Sequence, residues 1–293
     1  MSSKTKAKNS VDPGEVVHVQ KGKRPPTDYH APPVGRYLGE LIRKDGTRYS
    51  RIERRAYYAD AEVKHIAKTP LHIARWAVQQ FTKPGDWVFD PTMGAGTTAV
   101  EALRAARNAA GVEIQYVDVV QANIEANNCF DKKYSILHGD ARNMGDFLKG
   151  LKKKFALTVN NPPYSGDARQ KGFWKDTQDK FQYDDQYPNL AFMGENDEYF
   201  EAMSRIYATC LKYTKPKGHL VIGVKDMMRN KQPFMLHQML ADAVMRTGLA
   251  KAVGTAVLKH HPGTLHLNTY EKRFGVRPPL YQTIMVFQRK EAK

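Results

Sequence analysis

The sequence predicts an α/β protein built on a doubly wound, mostly parallel sheet. A chain of 293 residues is long enough to bury the core of one large catalytic domain. From residue 70 onward, short apolar runs alternate with segments of helical composition, which is typical of βαβ units packed on both faces of a sheet. Seven such runs have the length and composition of strands, from "WVFD" to the closing "YQTIMVFQRK".

The predicted elements follow one another without an internal repeat. In the first half, Pro70 opens a helix and strands alternate with helices: PLHIARWAVQQF, WVFD, GTTAVEALRAARNA (96–109), AAGVEI, a helix over 116–128, YSILHGD and FALTVNNPP. The second half contains a helix over 196–213, the strand HLVIGVKD, a helix over 233–247, the strand KAVGTAVLKH and the last strand YQTIMVFQRK. Pro162 and Pro163 cannot donate ladder hydrogen bonds, so they end the fourth strand.

Flanking and inserted segments differ in composition from this series. Residues 1–26 are rich in Lys, Ser, Pro and Gly and are expected to be a disordered basic tail, and 27–64 form an N-terminal extension. The catalytic domain is expected over 65–293. Two loops are inserted in it: 165–195, which is rich in aromatic residues and suggests an active-site lid, and 261–280, which is basic and suggests either a recognition loop or an ordinary connection.

The charge balance predicts a polyanionic partner. Lys and Arg outnumber Asp and Glu by 46 to 30, for a net charge of +16 and an isoelectric point near 9.7. A generally basic surface is the alternative. The extension concentrates basic residues that could contact phosphates or form a solvated face: Arg36, Arg43, Lys44, Arg48, Arg51, Arg54 and Arg55.

Composition also limits the other classes of site. The two cysteines form no C-x-x-C pair, so neither a disulfide framework nor a thiolate zinc site is expected, and no metal site is predicted. No apolar run approaches the roughly 18 residues needed to span a bilayer, and the N-terminus has no apolar signal region. A cytoplasmic protein without a membrane partner is expected.

The first chemical motif is "FDPTMGAGTTA" at 89–99. Its Gly94-x-Gly96-x-x-Ala99 spacing fits the dinucleotide fingerprint, which is a weak signal alone. Amides of Gly96, Thr97 and Thr98 would offer donors to an anionic group at a helix N-terminus. Asp90 at the strand end would repel a pyrophosphate and attract an ammonium, so a ligand with an amino acid end is favoured.

Acids also follow the next two strands. Asp90, Glu113 and Asp140 would share one crevice, because ligands of open α/β sheets bind at the carboxyl ends of the strands. Glu113 is placed to accept hydrogen bonds from a ribose diol and Asp140 from the exocyclic amine of an adenine. For each acid alone, a helix N-cap or a surface carboxylate is the alternative.

The second motif, "NNPPY", ends the fourth strand at the same edge. The amine of a nucleobase is a poor nucleophile because its lone pair is delocalised into the ring. The Asn161 side-chain oxygen and the Pro162 carbonyl could accept its two N–H groups and favour a pyramidal nitrogen, and Tyr164 offers a ring for stacking.

With both motifs in view, the sequence resembles the S-adenosylmethionine-dependent amino-methyltransferases of DNA, which act on adenine N6 or cytosine N4. "DPTMGAGTT" (90–98) matches the methionine-binding motif and "NPPY" (161–164) the catalytic tetrapeptide. The resemblance covers about residues 65–290, with gaps at the two inserted loops. Its expected fold is a Rossmann-like, seven-stranded sheet with an antiparallel last strand.

The resemblance implies a set of functional residues. The catalytic residues would be Asn161, Pro162, Pro163 and Tyr164. The residues that bind S-adenosylmethionine would be Lys68, Thr69, Pro70, Asp90, Pro91, Met93, Gly94, Gly96, Thr97, Thr98, Glu113 and Asp140.

The implied function is methylation of a flipped DNA base, most simply adenine N6, in a restriction-modification setting. Cytosine N4, an RNA base, or a protein glutamine are alternative acceptors, and a nicotinamide-dependent oxidoreductase or a non-catalytic nucleic-acid-binding module are alternatives of other classes. Cytosine C5 chemistry is disfavoured, because its nucleophile follows a proline and neither Cys129 nor Cys210 does. The glycine motif precedes the tetrapeptide, whereas many relatives with "GAGTT" have the reverse order. A monomer or a homodimer is expected.

Overall fold

The computed structural model describes about two thirds of the chain. The described residues are 37–40, 54, 56–59, 69–164, 188–193, 197–229, 232–259, 271–272, 275 and 281–291. The predicted tail over 1–26 lies outside them, as do Lys68 and most of the extension and of the loops 165–195 and 261–280.

All seven predicted strands are present in one sheet. In chain order, the strands are β1 Tyr37–Glu40, β2 Trp87–Asp90, β3 Asn108–Glu113, β4 Tyr134–His138, β5 Phe155–Asn160, β6 Thr214–Lys225, β7 Met227–Arg229, β8 Gln232–Phe234, β9 Ala250–Lys259 and β10 Tyr281–Arg289. Within the described ranges, eight of them form a sheet in the order β1-β9-β10-β6-β5-β2-β3-β4, and β7 and β8 form a small hairpin. Among the strand pairings of the described residues in this sheet, the two that involve β10 are antiparallel and the others are parallel.

The strand order reverses between β2 and β5. From β2 the chain proceeds to β3 and β4 on one side, and from β5 it proceeds to β6 on the other. Such a reversal is the usual ligand-binding position in open α/β sheets. The predicted fold is therefore confirmed, with β1 of the N-terminal extension added at one edge, parallel to β9.

Helices cover both faces of the sheet. They are α1 Leu71–Phe81, α2 Thr97–Arg104, α3 Val117–Asn127, α4 Gly145–Leu151, α5 Asp197–Tyr213 and α6 Leu236–Arg246. On one face, α1, α2 and α3 bury Trp76, Leu103 and Ile124 among strand residues such as Val159. On the other face, α4, α5 and α6 bury Leu148, Tyr207 and Leu240 around side chains that include Phe89 and Phe155. Alternate residues of each strand thus supply two cores, as a doubly wound sheet requires.

Two predicted helices are shorter in the structure. The helix predicted over 96–109 ends at Arg104, because Ala106 adopts a left-handed φ of 63° and the amides of Ala106 and Arg107 bond the carbonyls of Leu103 and Ala102. This Schellman-type ending turns the chain directly into β3. The helix predicted over 233–247 begins only at Leu236, since its first residues pair in β8. The pattern also missed β1, the β7–β8 hairpin and α4.

No helix in the described part of the chain is long and apolar enough to cross a membrane.

Candidate active site

The glycine turn, residues 91–96, joins β2 to α2 at the strand reversal. Gly94 and Gly96 have φ angles of 55° and 75°, in the left-handed region that glycine occupies at little cost. The Met93 amide donates to the Val112 carbonyl at 2.9 Å, which ties the turn to β3. The Gly96 amide donates to the Met93 carbonyl at 2.8 Å. Of the three amides predicted to bind an anion, Gly96 therefore uses its donor inside the turn, and Thr97 and Thr98 begin α2, where the first amides have no intrahelical acceptor.

The turn also requires a glycine on the neighbouring strand. A Cβ at Gly111 of β3 would lie 2.5 Å from the Asp90 carbonyl oxygen and 2.5 Å from Cγ of Met93. Real Cβ atoms do not approach backbone so closely, so any larger residue at 111 would displace the end of β2. Gly111 is a contributor to the site that the sequence motifs did not single out.

Two buried carboxylates follow β2 and β3. Asp90 is 2% exposed, and burial raises its pKa to about 7, with the nearby charge of Glu113 adding to the rise. The Thr92 amide donates to Asp90 Oδ1 at 3.0 Å. Burial also raises the pKa of Glu113, whose Oε2 accepts from the Gly94 amide at 2.6 Å. Glu113 thus closes the glycine turn from the adjacent strand.

The remaining contacts of the predicted acids differ between them. Glu113 Oε1 accepts from the amides of Gln115 and Tyr116 at 3.0 and 3.1 Å, while either oxygen retains acceptor capacity. Asp140 lies after β4 at the same edge, and its carboxylate accepts from Arg142 Nε at 2.8 Å and from the Arg142 amide at 2.9 Å. Asp140 therefore makes the contacts of a helix N-cap, which was the alternative to a cofactor contact for this acid.

A buried asparagine connects the two motifs. Asn160, the last residue of β5, is fully buried, and its Nδ2 donates to Thr92 Oγ1 of the glycine turn at 2.7 Å. Its Oδ1 accepts from the Tyr207 hydroxyl of α5 at 3.0 Å. Because β2 and β5 are hydrogen-bonded neighbours that run in parallel, both motifs leave the sheet at the same edge. The sequence offered a signal here, an amide at the end of an otherwise apolar strand.

Residues far away in sequence hold the tetrapeptide, residues 161–164, through two side chains and one backbone amide. The Tyr199 hydroxyl of α5 donates to the Pro163 carbonyl at 3.0 Å, and the Lys225 amide at the end of β6 donates to the Tyr164 hydroxyl at 3.0 Å. Asn161 Oδ1 accepts from Nε2 of Gln282 on β10 at 2.9 Å. Within the described ranges, the Pro162 carbonyl accepts no hydrogen bond. Three further elements thus fix the segment that was predicted to be catalytic.

The N-terminal extension reaches the start of α2, just after the glycine turn, through Arg54. This arginine is only 5% exposed, and its guanidinium donates to the Thr69 carbonyl and, at 3.0 Å, to Thr97 Oγ1. Arg54 is therefore neither a phosphate contact nor part of a solvated face, as the sequence had left open. The other basic residues of that cluster lie outside the described ranges.

The predicted cofactor residues that the structure describes lie in or next to the glycine turn, except Asp140, which follows β4. Pro91, Met93, Gly94 and Gly96 form the turn that follows Asp90, and the Gly94 amide donates to Glu113. Thr97 and Thr98 begin the next helix, and Arg54 connects Thr69, which precedes Pro70, to Thr97. Lys68 falls outside the described residues. These residues fit an S-adenosylmethionine molecule, because Asp90 and Glu113 are buried acids close to each other, and a positively charged ligand would stabilise their ionised forms. The tetrapeptide lies on the neighbouring strand.

Comparisons with known proteins agree with the motifs. A sequence profile described as "DNA methylase", for the N6 and N4 enzymes, matches residues 2–122, which is less than half of the chain. The Type II methyltransferase M.BglI of Bacillus subtilis is 41% identical over 63 residues, which are 21% of this chain and 18% of the relative. The Type II methyltransferase M.MthZI of Methanothermobacter thermautotrophicus is 28% identical over 138 residues, 46% of this chain and 35% of the relative.

The chain thus matches well under two thirds of the length of these relatives. Among solved structures, TrmN from Thermus thermophilus aligns with a TM-score of 0.47 and 13% identity over 87% of this chain and 73% of that one. The profile match and the Type II relatives confirm the resemblance of this chain to the amino-methyltransferases of DNA.

Proposed function

We propose that this protein transfers a methyl group from S-adenosylmethionine to the exocyclic amine of a DNA base, with adenine N6 as the acceptor. The observation that carries the proposal is the 2.7 Å hydrogen bond from Asn160 to Thr92, because it joins the end of the tetrapeptide strand to the glycine turn. A cofactor held by the turn and a base held by the tetrapeptide would then share one pocket.

The glycine turn and its acids form the cofactor side of this pocket. S-adenosylmethionine supplies, when bound, a methyl group on a positively charged sulfur, and this sulfur becomes a neutral thioether when the methyl leaves. Asp90 attracts the ammonium of the amino acid end, and Thr97 and Thr98 offer amide donors to its carboxylate. Glu113 would accept from the ribose diol and Asp140 from the exocyclic amine of the adenine, as the resemblance implies. Arg54 holds Thr69 and Thr97 together at this end.

The tetrapeptide prepares the amine to attack. Asn161 Oδ1 and the Pro162 carbonyl accept the two N–H groups of the target amine, which concentrates the lone pair on nitrogen. A nitrogen–carbon bond forms as the carbon–sulfur bond breaks, and the extra proton of the product amine passes to water, so no strong base is needed. The Tyr199–Pro163 and Lys225–Tyr164 hydrogen bonds keep these acceptors in place before the base arrives, a preorganisation effect.

Charge and kinship support DNA as the polymer. A net charge of +16 favours a nucleic acid over a protein substrate. The matching profile describes DNA methylases, and the similar curated proteins are Type II methyltransferases, which supports a restriction-modification setting. Base flipping would deliver the target into the pocket. Cys210 does not suit C5 chemistry, because it is buried in the core and burial raises the pKa of its thiol.

The choice of base follows from the first residue of the tetrapeptide. Asn at this position is commoner among adenine enzymes of the family, whereas Ser is commoner among cytosine N4 enzymes. Cytosine N4 is the second candidate, and an RNA base is the third.

Sequencing of single DNA molecules from cells that express the protein tests the proposal. We expect N6-methyladenine in a defined sequence context, and its loss in cells that express the Asn161→Ala variant. Methylcytosine would move the assignment to N4, and methylated RNA with unmodified DNA would overturn the choice of polymer. Cofactor binding by the purified variant should remain near the wild-type level, because Asn161 lies on the base side of the pocket.

A further inference from the structure

We infer that Gln282 is a positioning residue for the methyl transfer, which orients the carboxamide of Asn161 together with Gly223. The inference rests on the proposed function, since it assigns a role to a contact of the proposed catalytic residue. Gln282 lies on the last strand, 121 positions from Asn161 in sequence, and is only 4% exposed. No motif in the sequence points to it.

The strand register places Gln282 in front of Asn161. On β10, Gln282 pairs with Lys225 of β6 and Leu258 of β9, and it precedes Ile284 and Val286 on the same sheet face. Both of these are fully buried under the α1–α3 side of the sheet. An amide therefore lies buried in the same row as two apolar, fully buried side chains. Burying an amide is costly unless it is hydrogen-bonded, so this position is specified by its contact.

The direction of the contact decides which atom of Asn161 is presented to the base. Nε2 of Gln282 donates to Asn161 Oδ1 at 2.9 Å. A carboxamide oxygen has two lone pairs, so the second remains available for an N–H of the target amine. If Asn161 turned its carboxamide by half a rotation, it would present its own N–H groups to the amine, which are donors facing a donor.

Within the described ranges, the nitrogen of the Asn161 carboxamide lacks a hydrogen-bond partner of the kind that its oxygen has. Asn161 Nδ2 is buried, and it has no hydrogen-bond partner among the residues that the structure describes. Within those residues, the Gln282 contact is therefore the hydrogen bond that the structure gives to the Asn161 side chain, with Nε2 of Gln282 as the donor and Oδ1 of Asn161 as the acceptor. Removing it would leave the Asn161 carboxamide positioned by packing alone.

Gly223 limits the same carboxamide from the side of β6. A Cβ at Gly223 would lie 2.6 Å from Asn161 Oδ1 and 3.2 Å from Cδ1 of Ile73. Asn161 Oδ1 is the end of a side chain that can rotate, so an added methyl would displace it rather than the backbone. Gln282 and Gly223 thus define where the oxygen lies.

The test compares two glutamines of one strand that face the same side. Gln282→Met keeps length and apolar bulk but removes the donor, and Gln288→Met is the control, since Gln288 donates to the Lys217 carbonyl at 3.3 Å near the opposite edge. The measurements are the single-turnover rate of methyl transfer at saturating cofactor, the Kd of S-adenosylhomocysteine and the melting temperature. We expect the rate of Gln282→Met to fall by about 10- to 100-fold, with Kd within about twofold of wild type. Gln288→Met should transfer methyl at the wild-type rate.

A second variant changes the glycine beside Asn161 Oδ1 and leaves Gln282 in place. Gly223→Ala should lower the transfer rate in the same way without changing the Kd, whereas Gly150→Ala, in open space on α4, should not. A merely structural role for Gln282 would lower the melting temperature and leave the rate of the folded enzyme unchanged, and this result would overturn the inference. So would wild-type rates in both Gln282→Met and Gly223→Ala.

Asn161→Ala measured in the same series separates the two claims. An active Asn161→Ala enzyme would remove the proposed catalytic residue itself. An inactive Asn161→Ala enzyme beside fully active Gln282→Met and Gly223→Ala enzymes would remove only the positioning role.

Discussion

The glycine turn and the tetrapeptide, which lie next to each other at the strand reversal, are held in place in different ways. The glycine turn is closed largely by its own backbone and by the adjacent β3 and α3: Met93 bonds Val112, Gly94 bonds Glu113, and Asn123 donates to the Ala95 carbonyl at 2.9 Å. The tetrapeptide is held by Tyr199, Lys225 and Gln282, which lie 36, 61 and 121 positions from their partners. One turn is thus a local structure, and the other is assembled only when the whole sheet has formed.

This difference suits the two tasks proposed for the turns. A cofactor site that is closed by nearby chain can form its pocket from one βαβ unit. A site for a flipped base must present acceptors at fixed positions, and contacts from three separate elements restrict their movement more strongly. The connection between the turns is the Asn160–Thr92 hydrogen bond.

The largest effect is expected where the glycine turn meets its ligand. Asp90→Asn removes the charge that would pair with the cofactor's ammonium, and we expect its Kd for S-adenosylhomocysteine to rise by at least about 100-fold, by titration calorimetry at pH 7.5. Asp86→Asn is the control, because Asp86 precedes the same strand at the opposite edge and pairs with Lys215. Unchanged binding by Asp90→Asn would contradict the role of this acid.

The connection between the turns is the next target. Asn160→Ala leaves Thr92 Oγ1 and the Tyr207 hydroxyl without their buried partner, and we expect the free energy of unfolding to fall by about 2–4 kcal/mol. Tyr207→Phe removes one of the two bonds and should cost about 1–2 kcal/mol. Urea unfolding measures both. Equal stabilities of Asn160→Ala and wild type would show that the two turns are not coupled through this residue.

A smaller loss of stability is expected when the packing of the glycine turn against β3 is disturbed. Gly111→Ala would bring a methyl group within 2.5 Å of the Asp90 carbonyl oxygen, whereas the nearest atom to a Cβ at Gly139 is 3.7 Å away. We expect Gly111→Ala to lower the free energy of unfolding by about 1–3 kcal/mol and to weaken cofactor binding. Gly139→Ala, after the neighbouring strand β4, should do neither, and matching values for the two variants would refute the close contact.

The pH dependence of cofactor binding sharpens the difference between the turns. The pKa of Asp90 is about 7 in the folded protein and 3.8 is its ordinary value, so the carboxyl is largely protonated at pH 5.5. We expect affinity for S-adenosylhomocysteine to increase by about tenfold or more between pH 5.5 and 7.5. Asp90→Asn should bind weakly at both values, and a pH-independent wild-type Kd would contradict the assignment.

The same pKa shift has an opposite effect on stability. Because the folded pKa lies above the unfolded one, the folded state retains a proton that the unfolded state has lost, so Asp90 makes stability fall as pH rises from about 4 to 7. Asp90→Asn should therefore be more stable than wild type at pH 8, with the difference shrinking toward pH 5. A variant that is less stable than wild type at pH 8 would show that Asp90 is not buried as a costly charge.

What could be read from the sequence follows the same division. Strands and the glycine turn depend on short-range patterns in the sequence. Their positions could therefore be predicted from "WVFD", "GAGTT" and the acids at 90 and 113. Helix ends were less predictable, because Ala106 adopts a left-handed conformation that glycine usually takes. Gln282, Tyr199 and Gly223 could not be recognised, since their roles depend on which strands become neighbours. Arg54 appeared as one of many basic residues and proved to be buried.

The most direct test of the shared pocket is a crystal structure of the protein with S-adenosylhomocysteine and a short duplex that contains its target site. We predict that the ligand's sulfur faces Asn161 across the glycine turn, with the target amine within hydrogen-bond distance of Asn161 Oδ1 and the Pro162 carbonyl. A ligand bound at the other end of the sheet, or a base seated away from residues 161–164, would contradict the account.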